Sequence, residues 1–276
     1  MIFGKLALAT HLPVTSILAV RFGIAAVILA TVLAALRRPL VAEKGERGGA
    51  IILAVCGYAV ESACFFSALR YGTAAAVTLL FFTYPVFVAV ASWITGGGRP
   101  AGLTVLALAL AVAGAGIMVG AGHRLSIRTA GVLFALASAI TYTGYLVGAD
   151  RILRKTAPLT SSMWVSAGAS VGLAAIAIAS GEGRFPAGWT DWWPLVAMGV
   201  ATAGAFVCLL AGLQRLGAVR TSIIAATEPL STALLAFFFL DEAVTGGTAA
   251  GGALILVGAV VASLARAATP QEQQIP

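Results

Sequence analysis

The chain has 276 residues, of which 60% are hydrophobic and only 10% are charged, and its mean hydropathy is +1.01. A soluble domain is close to half apolar and a quarter charged, so this composition indicates an integral membrane protein. The net charge of +7 does not indicate nucleic-acid binding, because the basic residues punctuate hydrophobic segments instead of forming a patch.

Apolar segments of bilayer-spanning length follow one another along the chain, separated by short polar or Gly/Pro-rich connections. They predict nine complete transmembrane helices, at residues 15–36, 48–69, 73–96, 102–120, 128–149, 159–180, 192–214, 217–240 and 246–266. Residues 1–10 precede these helices and provide about 15 Å of helix at a rise of 1.5 Å per residue. That length is too short to cross a bilayer.

The basic residues of the loops predict the orientation of the chain. If the loop at 36–48 faces the cytoplasm, the cytoplasmic side carries eleven basic residues and the opposite side carries four. The cytoplasmic set is Arg37, Arg38, Lys44, Arg47, Arg99, Arg151, Arg154, Lys155, Arg215, Arg220 and Arg266, and the opposite set is Arg70, Arg124, Arg128 and Arg184. The positive-inside rule therefore predicts a cytoplasmic C-terminus.

The second half of the chain repeats features of the first half at a shift of 144 residues. The shift lays FFTYPVFVAVASW (81–93) over AATEPLSTALLAF (225–237). The aligned pairs include Thr83 with Thr227, Pro85 with Pro229, and Gly114 with Gly258. Matched prolines with matched loops on either side predict an internal repeat, which we place at residues 1–122 and 123–276.

The repeat predicts a ten-helix plan. At a shift of 145 residues LPVTS (12–16) aligns with APLTS (157–161), and the first repeat then has no counterpart to residues 129–145. We therefore expect the first helix to lack its front half, because the start codon is assigned too far downstream or because the gene is truncated. With that helix restored, each repeat has five helices. An odd number per repeat gives the repeats opposite orientations, as in many secondary transporters.

Three stretches resemble the EamA-type branch of the drug/metabolite transporter superfamily, namely KLALATHLPVTSILAVRF (5–22), ALRYGTAAAVTLLFFTYPVFVA (68–89) and TEPLSTALLAFFFLDE (227–242). The resemblance covers nearly the whole chain. It implies two five-helix units and an exporter of amino acids or other small metabolites in the plasma (inner) membrane of a bacterium. The incomplete first helix departs from the family pattern, and so does the fourth helix, which ends in TGGGRP (95–100) without the usual acid.

The same resemblance assigns positions to individual residues. It implies that Pro85 and Pro229 are the prolines of the fourth and ninth helices. It makes Glu228 the acid that frequently precedes the second proline, and it makes Arg21 a basic residue early in the second helix.

Four charged residues lie deep within the predicted helices, namely Lys5, Arg21, Glu61 and Glu228. A charge at the centre of a helix costs roughly 2.5–3.5 kcal/mol, so such residues pair with one another or face a cavity. We prefer the hypothesis that Glu61 pairs with Lys5 or Arg21. The alternative is that Glu61 is a proton site or binds the ammonium group of a substrate.

Glu228 and Pro229 stand side by side in an apolar segment. A proline removes one backbone N–H, here frees the carbonyl of Ala225 and bends the helix. In lipid such a bend is tolerated only where neighbours or cavity water satisfy the backbone. We slightly favour a Glu228 that faces a cavity, where it titrates or contacts the solute. The alternative is that protonated Glu228 donates to a freed carbonyl and only stabilises the bent helix.

Interior aromatic residues are further candidates for a solute site. Those that we single out are Tyr58, Tyr84, Tyr142, Tyr145 and Trp164, although ordinary packing explains most of them equally well. No phosphate loop, metal cluster or catalytic triad is visible in the sequence, so we expect no cofactor, no metal and no enzyme activity.

The prediction is therefore an all-α secondary-active transporter for a small-molecule substrate, with protons as candidate coupling ions. Two alternatives stay open, a cation or drug extruder and a truncated membrane protein that does not transport. The sequence leaves a monomer and a homodimer equally open.

Overall fold

The computed structural model describes residues 12–120, 126–231, 234 and 246–267. Within these ranges the regular secondary structure is helical, apart from one isolated antiparallel bridge between Gly72 and Ile127. The helices are α1 (Val14–Ala35), α2 (Arg47–Leu69), α3 (Ala74–Phe81), α4 (Tyr84–Ser92), α5 (Gly102–Gly120), α6 (Thr129–Ile152), α7 (Pro158–Ala179), α8 (Trp189–Leu216), α9 (Ala218–Ala225) and α10 (Gly246–Ala267).

Six segments of the described ranges are long and apolar enough to cross a membrane, namely α1, α2, α3 together with α4, α6, α7 and α8. Helices α5 and α10 contain shorter apolar stretches, Gly102–Ile117 and Ala249–Ala262. The protein is therefore a multi-pass membrane protein. A π-helical segment, Trp93–Gly97, continues α4, and with it included the predicted helix limits agree with the structure to within three residues wherever they are described. The predicted helix at 217–240 and residues 1–10 extend outside the described ranges, so the nine-span count and the ten-helix plan stay predictions.

The predicted fourth transmembrane helix is interrupted in its middle. Helix α3 ends at Phe81 and α4 begins at Tyr84, with Pro85 in the first turn of α4. Between the two helices the Thr83 hydroxyl donates to the carbonyl of Leu80 at 2.6 Å. The proline therefore stands at the start of a new helix, where its missing N–H is tolerated, instead of bending one continuous helix.

The second half contains the same interruption 144 residues later. Helix α9 ends at Ala225, and residues 228–231 are helical again, with Pro229 as the second of them. The Thr227 hydroxyl donates to the carbonyl of Ile224 at 2.8 Å. This is the bond that Thr83 makes to Leu80 in the first half, at the same shift. The aligned threonines and prolines thus build the same local structure twice.

Helices α5 and α10 pack closely through small residues. A Cβ atom on Gly114 would lie 2.6 Å from the carbonyl oxygen of Gly251, and a Cβ atom on Gly258 would lie 2.9 Å from that of Ala107. Gly258 and Gly251 follow Gly114 and Ala107 by 144 residues. The two contacts therefore correspond to each other at the 144-residue shift.

Polar groups join the two halves at one end of the bundle, and we call this group of contacts the Glu46 clamp. Glu46, at the start of α2, accepts hydrogen bonds from the N–H groups of Lys155 at 2.8 Å and Thr156 at 2.9 Å. The Thr156 hydroxyl donates to the same carboxylate at 2.6 Å. Burial opposes ionisation of Glu46, but these donors outweigh it and lower the pKa of the carboxyl below its usual value.

A second group of contacts joins the halves elsewhere, between the start of α1 and the loop that follows α7, and we call it the Glu182 clamp. The Glu182 carboxylate accepts from the Thr15 hydroxyl and from the Arg70 guanidinium, both at 3.2 Å. The Ser16 hydroxyl donates to the backbone carbonyl of Glu182 at 3.0 Å. The Arg70 and Glu182 side chains are 70% and 35% exposed, so this clamp is more exposed than the Glu46 clamp.

Candidate functional site

Helix α2 changes its winding near the centre of the bundle. The segment Leu53–Ala59 is a π-helix, set between the α-helical segments Arg47–Ile52 and Val60–Leu69. Short π-helical segments often occur at functional sites, because the wider turn displaces the side chains that follow it. Here the π-helix contains Tyr58 and ends two residues before Glu61.

Four tyrosines meet beside this segment, and we call them the tyrosine cluster: Tyr58, Tyr84, Tyr142 and Tyr145. The ring centroids of Tyr84 and Tyr142 are 4.9 Å apart, and those of Tyr58 and Tyr145 are 5.4 Å apart. The rings of Tyr142 and Tyr145 stack at 6.0 Å. These separations are favourable for aromatic pairs. The structure thus brings together four of the five aromatic residues that the sequence singles out.

Two phenylalanines extend the cluster. The ring of Tyr58 lies 5.2 Å from that of Phe22 on α1 and 4.9 Å from that of Phe206 on α8, centroid to centroid. The aromatic wall therefore draws on α1, α2 and α4 of the first half and on α6 and α8 of the second half.

The side chains of the cluster differ in exposure. Tyr84 and Tyr145 are buried, whereas Tyr58 and Tyr142 are partly exposed and Glu228 is exposed. Glu228 lies close enough to Tyr58, Tyr84 and Tyr142 for its charge to act on all three phenols. The Glu228 carboxylate therefore lies beside the phenols of the cluster.

Arg21 on α1 is the base of this region. Its Cζ atom lies 4.4 Å from the centroid of the Phe22 ring, a cation–π distance. Its Nε atom is buried and has no hydrogen-bond partner among the described residues. The charge of Arg21 acts on Tyr58, Glu61 and Glu228. Arg21 of the first half and Glu228 of the second half therefore both lie beside the tyrosine cluster.

Glu61 is buried and its described contacts are hydroxyl groups. The Ser62 hydroxyl donates to Oε2 at 3.0 Å, and the Ser138 hydroxyl on α6 donates to Oε1 at 3.2 Å. Arg21 makes no described hydrogen bond to Glu61 and affects it only by longer-range electrostatic attraction. Lys5 lies outside the described residues, so pairing of Glu61 with that lysine stays a prediction.

Tyr84 connects the interruptions of the two halves. Its phenol donates to the backbone carbonyl of Ser222 at 3.3 Å, one turn before the interruption at Thr227. The Thr143 hydroxyl approaches the backbone carbonyl of Tyr84 at 3.5 Å. Tyr84, which aligns with Glu228 at the shift of 144 residues, therefore connects the two halves.

The remaining candidate, Trp164, does not lie in the tyrosine cluster. Its indole N–H donates to the carbonyl of Leu40 at 2.9 Å, in the loop that leads to the Glu46 clamp. This hydrogen bond of Trp164 therefore connects α7 to that loop.

Sequence reasoning missed several residues of the site, among them Phe22, Ser138, Phe206 and Ser222. These are ordinary residues of transmembrane helices, and only their position opposite Tyr58, Glu61 or Tyr84 gives them a role. Among the described residues, no group of three or more His, Cys, Asp or Glu side chains is placed to hold a metal ion.

An all-helical, multi-pass bundle with charged and aromatic side chains at its centre is typical of a membrane transport protein. The chain belongs to the EamA-like transporter family, whose model matches residues 1–120 and 129–264. The protein is therefore a membrane transporter and not an enzyme.

Similar proteins carry the same general description. An uncharacterized transporter of Synechocystis sp. is 30% identical over 183 residues, 63% of this chain and 53% of that protein. An uncharacterized transporter of Archaeoglobus fulgidus is 29% identical, covering 72% of this chain and 71% of its own. An uncharacterized inner membrane transporter of Salmonella typhimurium is 28% identical over 78% of this chain and 72% of that protein. The chain spans about half the length of the Synechocystis relative.

The fold also has a counterpart among solved crystal structures. One such protein superposes with a TM-score of 0.80 at 22% identity, over 96% of this chain and 92% of the other. At that identity the likeness shows a shared fold.

Proposed function

We propose that the protein is a secondary-active exporter of small polar metabolites such as amino acids. It lies in the inner membrane of a bacterium with its C-terminus in the cytoplasm, and it works by alternating access between two five-helix halves. The observation that carries the proposal is the position of Arg21 and Glu228 beside the tyrosine cluster. These residues come from different halves, and a solute with both a carboxylate and an ammonium group matches a base and an acid set beside an aromatic wall.

The repeated features of the two halves support the inverted-repeat part of the proposal. The threonine bonds at the interruptions recur at a shift of 144 residues. The reciprocal contact between α5 and α10 follows the same shift. Transporters built from inverted repeats place their solute site at discontinuous helices, since irregular backbone at membrane depth is tolerated where it lines a cavity. The interruptions at Pro85 and Pro229 provide such helices.

Uptake into proteoliposomes tests the role of Glu228. With labelled amino acids as the probe, Glu228→Gln is expected to lower uptake and to change its pH dependence, because the amide can neither titrate nor attract an ammonium group. Glu43→Gln, in an exposed loop position, is the control and is expected to transport as the wild type does. If Glu228→Gln leaves both uptake and pH dependence unchanged, Glu228 has neither role.

A cation or drug extruder is the second candidate, and the Glu228 carboxylate beside the tyrosine cluster favours it. A carboxylate near several phenol rings also fits a lipophilic cation. Competition decides between the two. Inhibition of amino-acid uptake by tetraphenylphosphonium, and flux of that cation itself, would favour the extruder. Uptake that the cation does not affect would favour the metabolite exporter.

A further inference from the structure

Glu61 is a second acid inside the bundle, and its surroundings differ from those of Glu228. Glu61 is only 6% exposed, whereas Glu228 is exposed. The two hydroxyls that hold it are buried as well, Ser62 at 5% and Ser138 at 0% exposure. A carboxylate in such a place is costly unless a positive charge or a proton compensates it.

The two hydroxyl contacts come from different halves of the protein. Ser62 is the neighbour of Glu61 on α2, and Ser138 belongs to α6. Each hydroxyl binds a different oxygen of the carboxylate. A hydroxyl can donate to an ionised carboxylate and accept from a protonated one, so both contacts are compatible with either state of Glu61.

The charged and titratable groups around Glu61 are few in the described chain. Those within electrostatic range are Arg21 on α1, Glu228 near Pro229, and Tyr58 and Cys64 on α2 itself. Helix α6 contributes the Ser138 hydroxyl, and α3 packs on α2 through the rings of Phe65 and Phe81. Among the described residues no base contacts the carboxylate, and the described positive charge that acts on it is Arg21, at longer range.

We propose that Glu61 is a proton-binding site, separate from the solute site, whose occupancy controls the contact between α2 and α6. This inference rests on the proposed function, because it names the ion that drives the proposed transport. The proton arrives from water on one side of the membrane, forms an O–H bond with one carboxylate oxygen, and leaves to water on the other side.

Protonation changes the bond that joins the halves. With Glu61 ionised, Ser138 donates a charge-assisted hydrogen bond across the α2–α6 contact. With Glu61 neutral, the same contact is a bond between uncharged groups, which are about half as strong. The ionised state therefore holds α2 and α6 together, and the protonated state allows them to separate.

The geometry favours a proton over a metal ion as the occupant. A metal cation needs several oxygen lone pairs that converge on one point, and Ca²⁺ takes about six to eight of them. Here the two described hydroxyls bind different oxygens of the carboxylate, and no further described oxygen contacts it.

Infrared spectroscopy of the purified wild-type protein in lipid tests the site without any solute. Titration with acid is expected to produce a carbonyl-stretching band of a protonated carboxylic acid. Glu61→Gln is expected to remove the component of that band that belongs to a buried acid. Glu43→Gln, which removes an exposed acid of the loop before α2, is the control and is expected to leave that component unchanged. Ser138→Ala removes one hydrogen bond and is expected to shift the band, which keeps the test valid if Glu61→Gln fails to fold. Spectra of Glu61→Gln and Ser138→Ala that match the wild type throughout the titration would overturn the proposal.

Transport then separates this inference from the proposed function. In proteoliposomes Glu61→Gln is expected to abolish amino-acid accumulation driven by a pH gradient, while exchange of labelled for unlabelled amino acid continues. Accumulation that survives in Glu61→Gln would overturn the coupling role. Wild-type vesicles that move none of the offered amino acids, in a protein whose infrared band behaves as expected, would contradict the proposed function and leave the proton site standing.

Discussion

The phenol of Tyr84 donates to the backbone carbonyl of Ser222 at 3.3 Å and so links the interrupted helix of one half to the interrupted helix of the other. Tyr84 occupies the slot that Glu228 occupies 144 residues later. Both halves therefore have a proline at this position, Pro85 and Pro229, but the residue before it is a tyrosine in the first half and a glutamate in the second. In the first half that residue forms a fixed bridge, and in the second half it is an exposed acid.

Tyr84→Phe tests this bridge. The substitution keeps the ring and its packing but removes the hydroxyl, and it leaves the Ser222 carbonyl without that donor. We expect a loss of about 1 kcal/mol, the usual net value of a neutral hydrogen bond, seen as a lower melting temperature in detergent. Tyr145→Phe is the control, because the Tyr145 hydroxyl is buried and has no partner among the described residues. If Tyr145→Phe loses more stability than Tyr84→Phe, the bridge does not stabilise the protein.

Gly114→Ala and Gly258→Ala test the reciprocal contact between α5 and α10. At each position the new Cβ atom meets a backbone carbonyl oxygen closer than 3.0 Å, which only a movement of the helices relieves. Overpacking of this kind costs roughly 1–3 kcal/mol, so both variants are expected to melt at a lower temperature. The two losses are expected to be similar, because each residue makes the same contact from its own half.

Gly144→Ala is the matched control for those variants. Gly144 lies within α6, is exposed, and nothing comes within 4 Å of an added Cβ atom. Alanine there is expected to raise stability by about 0.5–1 kcal/mol, since glycine is the poorer helix former. A stabilised Gly114→Ala would show that the helices are not in close contact at that point.

Helix positions were predictable from the sequence for a simple physical reason. A bilayer requires long uninterrupted apolar segments, and the limits of α1 and α5 therefore follow from hydropathy alone. The aligned prolines also showed where the helices depart from regularity, although whether each proline bends a helix or starts a new one depends on local hydrogen bonds such as that of Thr83.

The site was predictable only in part. Glu61 and Glu228 stood out because a carboxylate is costly in an apolar segment. Ser138 and Phe206 carry no such signal, because their role depends on which residue of another helix lies opposite. The π-helix at Leu53–Ala59 has no sequence signature either, and it moves the side chains that follow relative to a regular helix. Tyr58 was visible in the sequence, but its central position follows from that segment.

The Glu46 clamp predicts a stability that depends on pH. The pKa of Glu46 is lower in the folded protein than in the unfolded chain, so its contribution is complete above the usual glutamate pKa and is lost as the pH falls through the lowered folded value. Glu46→Gln is expected to cost about 1.5–3 kcal/mol at neutral pH, the range for hydrogen bonds to a charged group. Melting temperatures measured from neutral to acidic pH are expected to converge for wild type and variant.

Glu43→Gln is the control for the Glu46 experiment. Its side chain is exposed in the same loop, so it is expected to melt as the wild type does over the whole pH range. A constant difference between wild type and Glu46→Gln down to acidic pH would show that the carboxylate charge does not stabilise the clamp.

The Glu182 clamp predicts a small effect on stability and a larger effect on conformation. Arg70 and Glu182 form an ion pair at 3.2 Å, but their exposure keeps the contribution of the pair below about 1 kcal/mol. Arg70→Glu is expected to separate the start of α1 from the loop that follows α7, because two acids then face each other. Combining it with Glu182→Arg is expected to restore the pair. Hydrogen exchange of residues 180–188 measures the separation, and a double variant that exchanges as fast as Arg70→Glu would show that the charges do not hold this end closed.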